Sequence, residues 1–354
     1  MVRVCYLADA PYVHTRRWVD HFVRRGWEAE VISFRPATLP GATVRYVGGF
    51  EWLGKLRYLV QAGRVARLLR EARPHLVHAL HLTSYGYLAA RSGVHPALVS
   101  VWGTDVLEAP TLSPLHEYVT RYALTRADYV TATGLHLASS TLPFVPRSKP
   151  VTVVPYGVEL NRFRPAPRPP RDEPVVGYVG RLSPEKGLPT LLRALALLRD
   201  RGVRWRATLA GAGPDRAALE GLALRLGLSR SVTFLDEVAH EEIPGLLQGF
   251  DVFAMPSTWE GFGVAAVEAQ AMELPVVASG VHGIPDVVAH GETGLLVPPS
   301  RPDALADALE TLLNDRERRV ELGRAGRRLV ERRYDWRENA ARMERIYLEL
   351  AAAS

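Results

Sequence analysis

The chain has 354 residues, of which 47% are apolar and 23% charged, so it is long enough for two globular domains with separate cores. Its formal net charge of +6 favours anionic partners, but no zinc-finger spacing or aromatic-laced basic tract points to nucleic acid. The single cysteine, Cys5, rules out a disulfide framework within the chain, and no apolar run has the length of a membrane span. We therefore expect a cytoplasmic protein, bound at most peripherally to the inner face of a membrane.

The first half of the sequence predicts a parallel sheet. Short apolar runs alternate with helical patterns, and the runs are VRVCYLA, EAEVISF, HLVHAL, ALVSVWG, YVTAT and VTVVPYG. Continuous apolar strands separated by amphipathic helices are typical of a sheet that is covered on both faces. One of these helices, predicted over residues 53–74, is basic and amphipathic, so it either covers the sheet or lies on an anionic membrane.

The second half repeats this alternation after a break. Residues 162–174, RFRPAPRPPRDEP, are rich in proline and charge and predict a linker. The strands predicted beyond it are VVGYVG, WRATLAG, VTFLDEV, VFAMPS, PVVAS and GLLVP. The sequence therefore predicts an α/β fold of two doubly wound, Rossmann-like parallel-sheet domains, residues 1–160 and 161–334, with a ligand cleft between them.

Two cations follow the first strand of the second domain. Arg181 and Lys186 lie in RLSPEKG, a turn at the carboxyl end of that strand, where they can clamp a diphosphate. The alternative is that both are solvated turn residues. The next strand ends in LAGAGP, where Gly211 and Gly213 would let a ligand approach the backbone, although such glycine turns are common.

The stretch MPSTWEGFGVAAVEA places two glutamates around a glycine turn. Gly261 and Gly263 precede a helix that begins at Val264, and the free N–H groups of such a helix start attract anions. Glu260 stands just before the helix and Glu268 in its second turn, so together they can hold two hydroxyl-bearing parts of one ligand. Alternatively, Glu268 offsets the helix dipole and Glu260 is a surface residue.

This stretch, together with VGRLSPEKG, LAGAGP, VTFLDEV and VVPYGVELNRFRP, resembles the retaining glycosyltransferases of family 4, which have the GT-B fold. The motifs occur in the expected order over almost the whole chain. The resemblance implies an N-terminal acceptor-binding domain and a C-terminal domain that binds a nucleotide-sugar donor. It also implies that a final helix, at about residues 335–354, packs back on the first domain.

The resemblance assigns the donor's parts to residues of the second domain. It implies that the donor diphosphate is bound by Arg181, Lys186, Gly263 and Val264. The transferred sugar would lie against Glu260, which is also the first catalytic candidate, and the Gly261, Phe262 and Gly263 backbone. Glu268 would hold the ribose hydroxyls, with Gly211 and Gly213 beside the nucleoside.

The first domain departs from the family pattern in two loops. In DAPYVHTRRW, the residues His14, Thr15 and Arg16 start the first helix, where they either bind acceptor or phosphate or serve as capping, packing and solvated residues. Many relatives have a histidine where SVWGTDV has Trp102, so the histidine role cannot be transferred. Asp105 becomes the second catalytic candidate, and the alternative is that it caps a turn.

Histidines of the segment HLVHALHLTSYG are weaker candidates. His78 and His81 stand near the end of a predicted strand and so near the expected cleft. Histidines in this position are more often packing residues, so both interpretations stay open.

The resemblance, together with these residues, implies a retaining hexosyltransferase of polysaccharide biosynthesis. It would move a hexose-type sugar from a nucleotide-diphosphate sugar, with uridine favoured as the base, to a hydroxyl of a glycan, glycolipid or small molecule. The resemblance favours a front-face route without cofactor or metal, and the sequence has no Asp-x-Asp motif or His/Cys cluster. Another GT-B enzyme, such as a sugar-nucleotide epimerase, and a silent nucleotide-sugar-binding module are the alternatives.

Overall fold

The computed structural model describes residues 2–168 and 171–352, apart from the side chain of Lys55. The chain divides into two compact units. The first comprises Met1–Pro155 and Glu338–Ser354, and the second comprises Tyr156–Arg337.

The first unit contains a seven-stranded sheet in which every pair of neighbouring strands is parallel. The strand order is β3-β2-β1-β4-β5-β6-β7. The strands are β1 (Arg3–Leu7), β2 (Glu28–Ser33), β3 (Ala42–Tyr46), β4 (Leu76–Leu80), β5 (Ala97–Val101), β6 (Tyr129–Ala132) and β7 (Val151–Val153). Side chains on both faces of the central strands are buried, which explains why these strands are continuous apolar runs.

Helices cover this sheet. They are α1 (Val13–Arg24), α2 (Arg57–Val60), α3 (Ala62–Ala72), α4 (Tyr87–Ser92), α5 (Thr104–Leu107), α6 (Ala109–Leu112), α7 (Pro114–Arg126) and α8 (Leu135–Thr141). The single helix predicted over residues 53–74 is wrong in its extent, because a 3₁₀ turn (Glu51–Leu56), α2 and α3 replace it. Helix α3 buries Val65 and Leu69 in the core of the first unit, so this part covers the sheet.

The second unit contains a six-stranded parallel sheet in the order β10-β9-β8-β11-β12-β13. The strands are β8 (Val175–Val179), β9 (Arg206–Ala210), β10 (Val232–Leu235), β11 (Val252–Met255), β12 (Val276–Ser279) and β13 (Gly294–Val297). Its helices are α9 (Leu188–Asp200), α10 (Arg216–Arg225), α11 (Ile243–Gln248), α12 (Val264–Ala271), α13 (Ile284–Val287), α14 (Pro302–Asn314) and α15 (Arg316–Arg333). Two doubly wound parallel sheets are therefore present, which confirms the predicted fold class.

The proline-rich stretch is part of the second unit and does not form a free linker. Phe163 is buried, and its carbonyl accepts a hydrogen bond from Arg327 Nη1 at 2.6 Å. The Arg168 guanidinium donates to the Met272 carbonyl at 2.6 Å. Residues 162–168 and 171–174 form no helix or strand, as the proline content predicted, but that content carried no information about these contacts.

The last helix is α16 (Trp336–Ala352), and its residues from Glu338 onwards belong to the first unit. Tyr347 is fully buried there, with its ring 4.7 Å from the Phe22 ring. Its hydroxyl is hydrogen-bonded to His78, whose other ring nitrogen lies 2.7 Å from Ser100 Oγ. Since His78 is fully buried, it packs and anchors this helix, and the packing interpretation of His78 is the correct one.

Candidate functional site

The turn after β8 orients Arg181. Tyr178 OH donates to the Arg181 carbonyl at 2.8 Å, and the Arg181 guanidinium lies 2.8 Å from Glu185 Oε1. Ser183 Oγ donates to the same carboxylate at 2.6 Å. Burial opposes ionisation of Glu185, but the hydrogen bonds from Arg181 and Ser183 outweigh it and lower its pKa to about 2. An ionised Glu185 therefore aligns the Arg181 side chain, which is 68% exposed.

Lys186 meets the first of the two predicted glutamates. Its Nζ lies 2.7 Å from Glu260 Oε2, and the two side chains are only 20% and 14% exposed. The pair joins two loops, because Lys186 follows β8 whereas Glu260 follows β11. A second hydrogen bond connects the same loops, since the Thr258 amide donates to the Glu185 carbonyl at 2.8 Å. The structure thus brings Lys186 and Glu260 together, which spacing along the sequence could not establish.

The loop after Glu260 enters α12 through a glycine in the left-handed region. Gly263 has a φ of 95° and precedes Val264, the first residue of the helix. Among the described residues, no side chain caps this helix start and no acidic residue lies in its first turn. Its first N–H groups and the positive end of its dipole therefore offer an anion-binding position.

The Phe262 backbone is part of this loop, whereas its side chain packs into an aromatic cluster. The ring is buried, with its centroid 5.9 Å from the Tyr156 ring and 5.6 Å from the Tyr334 ring, both edge to face. A Cβ on Gly283 would lie 2.1 Å from the Gly261 carbonyl oxygen, so these two loops pack backbone against backbone. The aromatic cluster and Gly283 together hold the Glu260 loop in place.

Glu268 lies in the second turn of α12 and is paired with a residue that sequence reasoning missed. His240 Nε2 lies 3.0 Å from Glu268 Oε1, and the Glu268 side chain is 10% exposed. The His240 carbonyl in turn accepts a hydrogen bond from Arg162 Nη2 at 3.2 Å. No motif spacing predicts this pair, because His240 stands in the loop between β10 and α11.

Gly211 and Gly213 have a packing role that was not expected. A Cβ on Gly211 would lie 1.9 Å from the Gly180 carbonyl oxygen, and one on Gly213 would lie 2.1 Å from the Leu182 carbonyl oxygen. The absence of side chains therefore lets the turn after β9 pack against the Arg181 turn. Their contact with a nucleoside stays a prediction.

The first-unit candidates differ in their accessibility. The Thr15 side chain is fully buried, which favours a packing role for it, and contact of this residue with acceptor or phosphate stays a prediction. Arg16 is exposed in the first turn of α1. The His14 ring lies 5.8 Å from the Trp102 ring and is oriented edge to face with it.

The Asp105 carboxylate is buried and accepts hydrogen bonds from backbone amides. Its carboxylate accepts hydrogen bonds from the amides of Gly103 at 2.7 Å, Leu82 at 2.9 Å and Trp102 at 3.1 Å. The residue is 1% exposed. This geometry favours the turn-capping interpretation over direct contact with a reacting group, since both carboxylate oxygens stabilise the start of α5. His81 is also engaged locally, with Nδ1 3.1 Å from Ser84 Oγ.

Comparisons with known proteins agree with this architecture. A family model described as "Glycosyl transferases group 1" matches residues 161–329, and one described as "Glycosyl transferase 4-like" matches residues 3–134. The GDP-mannose-dependent alpha-(1-6)-phosphatidylinositol monomannoside mannosyltransferase of Mycobacterium tuberculosis is 33% identical over 271 residues, which cover 72% of this chain and 70% of that protein. The chain belongs to the GT4-type glycosyltransferases.

Two further proteins are similar to this glycosyltransferase. The D-inositol 3-phosphate glycosyltransferase of Nocardia farcinica is 32% identical over an aligned length of 356 residues. The alignment covers 88% of this chain and 78% of that protein. The structure of a sucrose-phosphate synthase from Thermosynechococcus elongatus matches with a TM-score of 0.85 over 100% of both chains. Its sequence identity is 24%, so that likeness supports the GT-B fold alone.

Within residues 2–168 and 171–352, no three or more His, Cys, Asp or Glu side chains are grouped so that they could hold a metal ion. In the same part of the chain, no helix is long and apolar enough to cross a bilayer.

Proposed function

We propose that this glycosyltransferase moves a hexose-type sugar, with retention of configuration, from a nucleotide-diphosphate sugar to a hydroxyl acceptor. The observation that carries the proposal is the Lys186–Glu260 pair, 2.7 Å apart, in which Glu260 stands four residues before Val264, the start of α12. A cation and a helix start in one place suit a diphosphate. A carboxylate beside them suits the hydroxyls of the attached sugar.

The proposed donor lies along the start of α12. Its diphosphate contacts Arg181, Lys186 and the first N–H groups of the helix, and its sugar contacts Glu260. Glu268 lies about 6 Å further along the helix axis than Val264, at roughly 1.5 Å per residue. This separation lets Glu268 bind the ribose hydroxyls, with the nucleoside near the turn of Gly211 and Gly213.

The chemistry we propose needs charge stabilisation and no covalent intermediate on the enzyme. As the bond from the anomeric carbon to the phosphate oxygen breaks, that oxygen gains negative charge, which Lys186, Arg181 and the α12 amides stabilise. The acceptor hydroxyl forms its new bond on the same face of the sugar, and its proton passes to the departing phosphate. Before donor binds, Glu260 holds Lys186, and the diphosphate then competes with Glu260 for that cation.

The base of the donor should be tested with a GDP-linked sugar first. The Mycobacterium tuberculosis relative is named as GDP-mannose-dependent, whereas the sequence-based preference for uridine depended on no particular residue. We therefore propose GDP-mannose as the first donor to assay, with UDP-sugars beside it.

A lipid-linked acceptor, reached from an anionic membrane surface, is the acceptor class that we propose. Side chains of the first unit around α2 are apolar and exposed, and they include Trp52, Leu56 and Val60. Trp52 is 81% exposed, Arg57 of α2 follows five residues later, and α3 adds Arg64, Arg67 and Arg70. Exposed tryptophan beside basic residues is typical of proteins that bind anionic bilayer surfaces. Soluble glycans and small molecules are the alternative acceptors.

The experiment incubates the full-length protein with GDP-mannose or UDP-glucose and an extract of polar lipids, with EDTA present. Transfer of labelled sugar to lipid, with retained anomeric configuration by NMR, supports the whole proposal. An epimerised sugar nucleotide formed without acceptor would indicate the epimerase class. Nucleotide binding without transfer to any acceptor would indicate a silent binding module, and a requirement for added metal would contradict the metal-independent route.

A further inference from the structure

The second unit has a cavity of about 940 Å³ that is separate from the proposed donor site. It lies beside Pro174, Asp251 and Pro275, which come just before β8, β11 and β12. The donor-site residues follow the carboxyl ends of β8 and β11. The cavity therefore lies at the amino ends of these strands, about one strand length, or roughly 13–17 Å, from their carboxyl ends.

Arginine dominates the lining of this cavity. Among the described residues, seven arginines and four carboxylates line it, which leaves a formal excess of three positive charges. Some arginines have a structural explanation: Arg171 lies 3.3 Å from Asp251, and Arg319 donates to the Leu312 and Leu313 carbonyls at the end of α14. These contacts stabilise the protein without a ligand.

Three other arginines have no such explanation. Within the described part of the chain, the side chains of Arg204, Arg316 and Arg324 have no hydrogen-bond or ion-pair partner, and all three residues are exposed at the cavity. The buried Nε of Arg168 also has no partner among the described residues. Burial lowers the pKa of Arg319, and the positive charge of Arg316 lowers it further while Asp251 opposes both. The cavity therefore holds more positive charge than its own carboxylates neutralise.

The spacing of these groups sets the size of the anion. Arg316 and Arg324 are eight residues apart in α15, which corresponds to about 12 Å along the helix, and Arg204 approaches from the turn between α9 and β9. One phosphate group is too small to contact both ends of this array. The concave shape and the volume, which is within the usual range for small-molecule sites, suit a soluble ligand better than a flat membrane.

We propose that this cavity binds a soluble anion that carries two or more phosphate groups, at a second site remote from donor chemistry. Arg204, Arg316 and Arg324 supply charge-assisted hydrogen bonds to its phosphate oxygens.

The test uses sodium tripolyphosphate and calorimetry on the full-length protein. The starting protein carries Arg181→Ala and Lys186→Ala, so that the proposed donor site does not contribute. Added Arg316→Ala and Arg324→Ala should weaken binding about tenfold or more, the loss expected for at least one charge-assisted hydrogen bond. Added Arg230→Ala is the control for loss of surface charge, to be compared with Arg316→Ala and Arg324→Ala one at a time, because Arg230 is an exposed arginine of the same unit outside the cavity lining.

Each outcome decides the proposal. A single site that survives Arg230→Ala and is lost in the Arg316/Arg324 variant supports it. No binding in the starting protein, or equal weakening by Arg230→Ala, overturns it, because the anion would then bind elsewhere or through unspecific charge. Circular dichroism and thermal unfolding verify that each variant is folded. Because the donor site is removed throughout, the result does not depend on the proposed transferase activity.

Discussion

Lys186 is the residue whose loss should affect catalysis most directly. We expect Lys186→Ala to lower kcat/KM about 10²–10³-fold, because a cation is then missing where the departing diphosphate gains charge. Steady-state assays with the identified donor and acceptor measure this. Lys186→Arg is the control that keeps the charge, and it should retain more activity. Full activity in Lys186→Ala would contradict the proposed orientation of the donor.

His240 should act on donor affinity through Glu268 and not on the chemical step. His240→Ala removes the contact of 3.0 Å that fixes one oxygen of Glu268. We expect the donor KM to rise about tenfold with kcat nearly unchanged, since the value of such a hydrogen bond to a carboxylate is about 1.5 kcal/mol. His240→Gln, which keeps a donor group, should recover part of the affinity. A fall in kcat alone would show that His240 does not act through nucleotide binding.

At the scale of elements, backbone packing between loops determines the shape of the candidate site. The Cβ of Gly283→Ala would lie 2.1 Å from the Gly261 carbonyl oxygen, so the loop that holds Glu260 must shift. We expect a loss of about 1–3 kcal/mol in the free energy of unfolding and weaker nucleotide binding. Denaturant unfolding and calorimetry with GDP and UDP measure the two effects.

Gly245 provides the matched control for that substitution. It lies in α11, and a Cβ there would have no atom within 4 Å. Gly245→Ala should therefore leave nucleotide binding unchanged and raise stability by up to about 1 kcal/mol, because alanine favours the helix. Similar losses in both variants would mean that the contact between residues 261 and 283 does not shape the site.

The elements that the sequence predicted best are those in which one local pattern determines the structure. Buried parallel strands must be apolar on both faces, so runs such as VFAMPS were recognisable as strands without any knowledge of their neighbours. The helix start at Val264 was likewise predicted from the glycines before it. The linker predicted over residues 162–174 packs through Phe163 on the second unit, and its proline content reveals nothing about which surface it contacts.

Contacts between distant parts of the chain could not be predicted in this way. Lys186 and Glu260 were each singled out as ligand residues, but their pairing depends on β8 and β11 being neighbours in the sheet. His240 was missed because its importance comes only from Glu268, 28 residues later. Asp105 was a catalytic candidate with a turn cap as the alternative, and only the fold shows that backbone amides donate to its carboxylate.

At the scale of the whole molecule, the attachment of α16 should make stability depend on pH. Burial lowers the pKa of His78 to about 3, whereas the ordinary value is 6.5. The folded protein therefore keeps His78 neutral between these two values while the unfolded chain binds a proton. Its contribution to stability is complete above pH 6.5 and is lost progressively as the pH falls towards 3.

The expected size of this effect is up to about 1.4 kcal/mol per pH unit in the free energy of unfolding. Carboxylates with lowered pKa, such as Glu185, produce a loss of the same sign at lower pH, so wild type must be compared with a variant. In His78→Gln the extra loss between pH 6.5 and 4.5 should disappear, leaving a shallower pH dependence by chemical denaturation. Tyr347 of α16 shares the hydrogen bond with His78. In wild type, the protection of α16 amides against hydrogen exchange, relative to an unfolded chain at the same pH, should therefore fall as the pH is lowered from 6.5 to 4.5. Equal pH dependence in both proteins would mean that His78 is already protonated in the folded state.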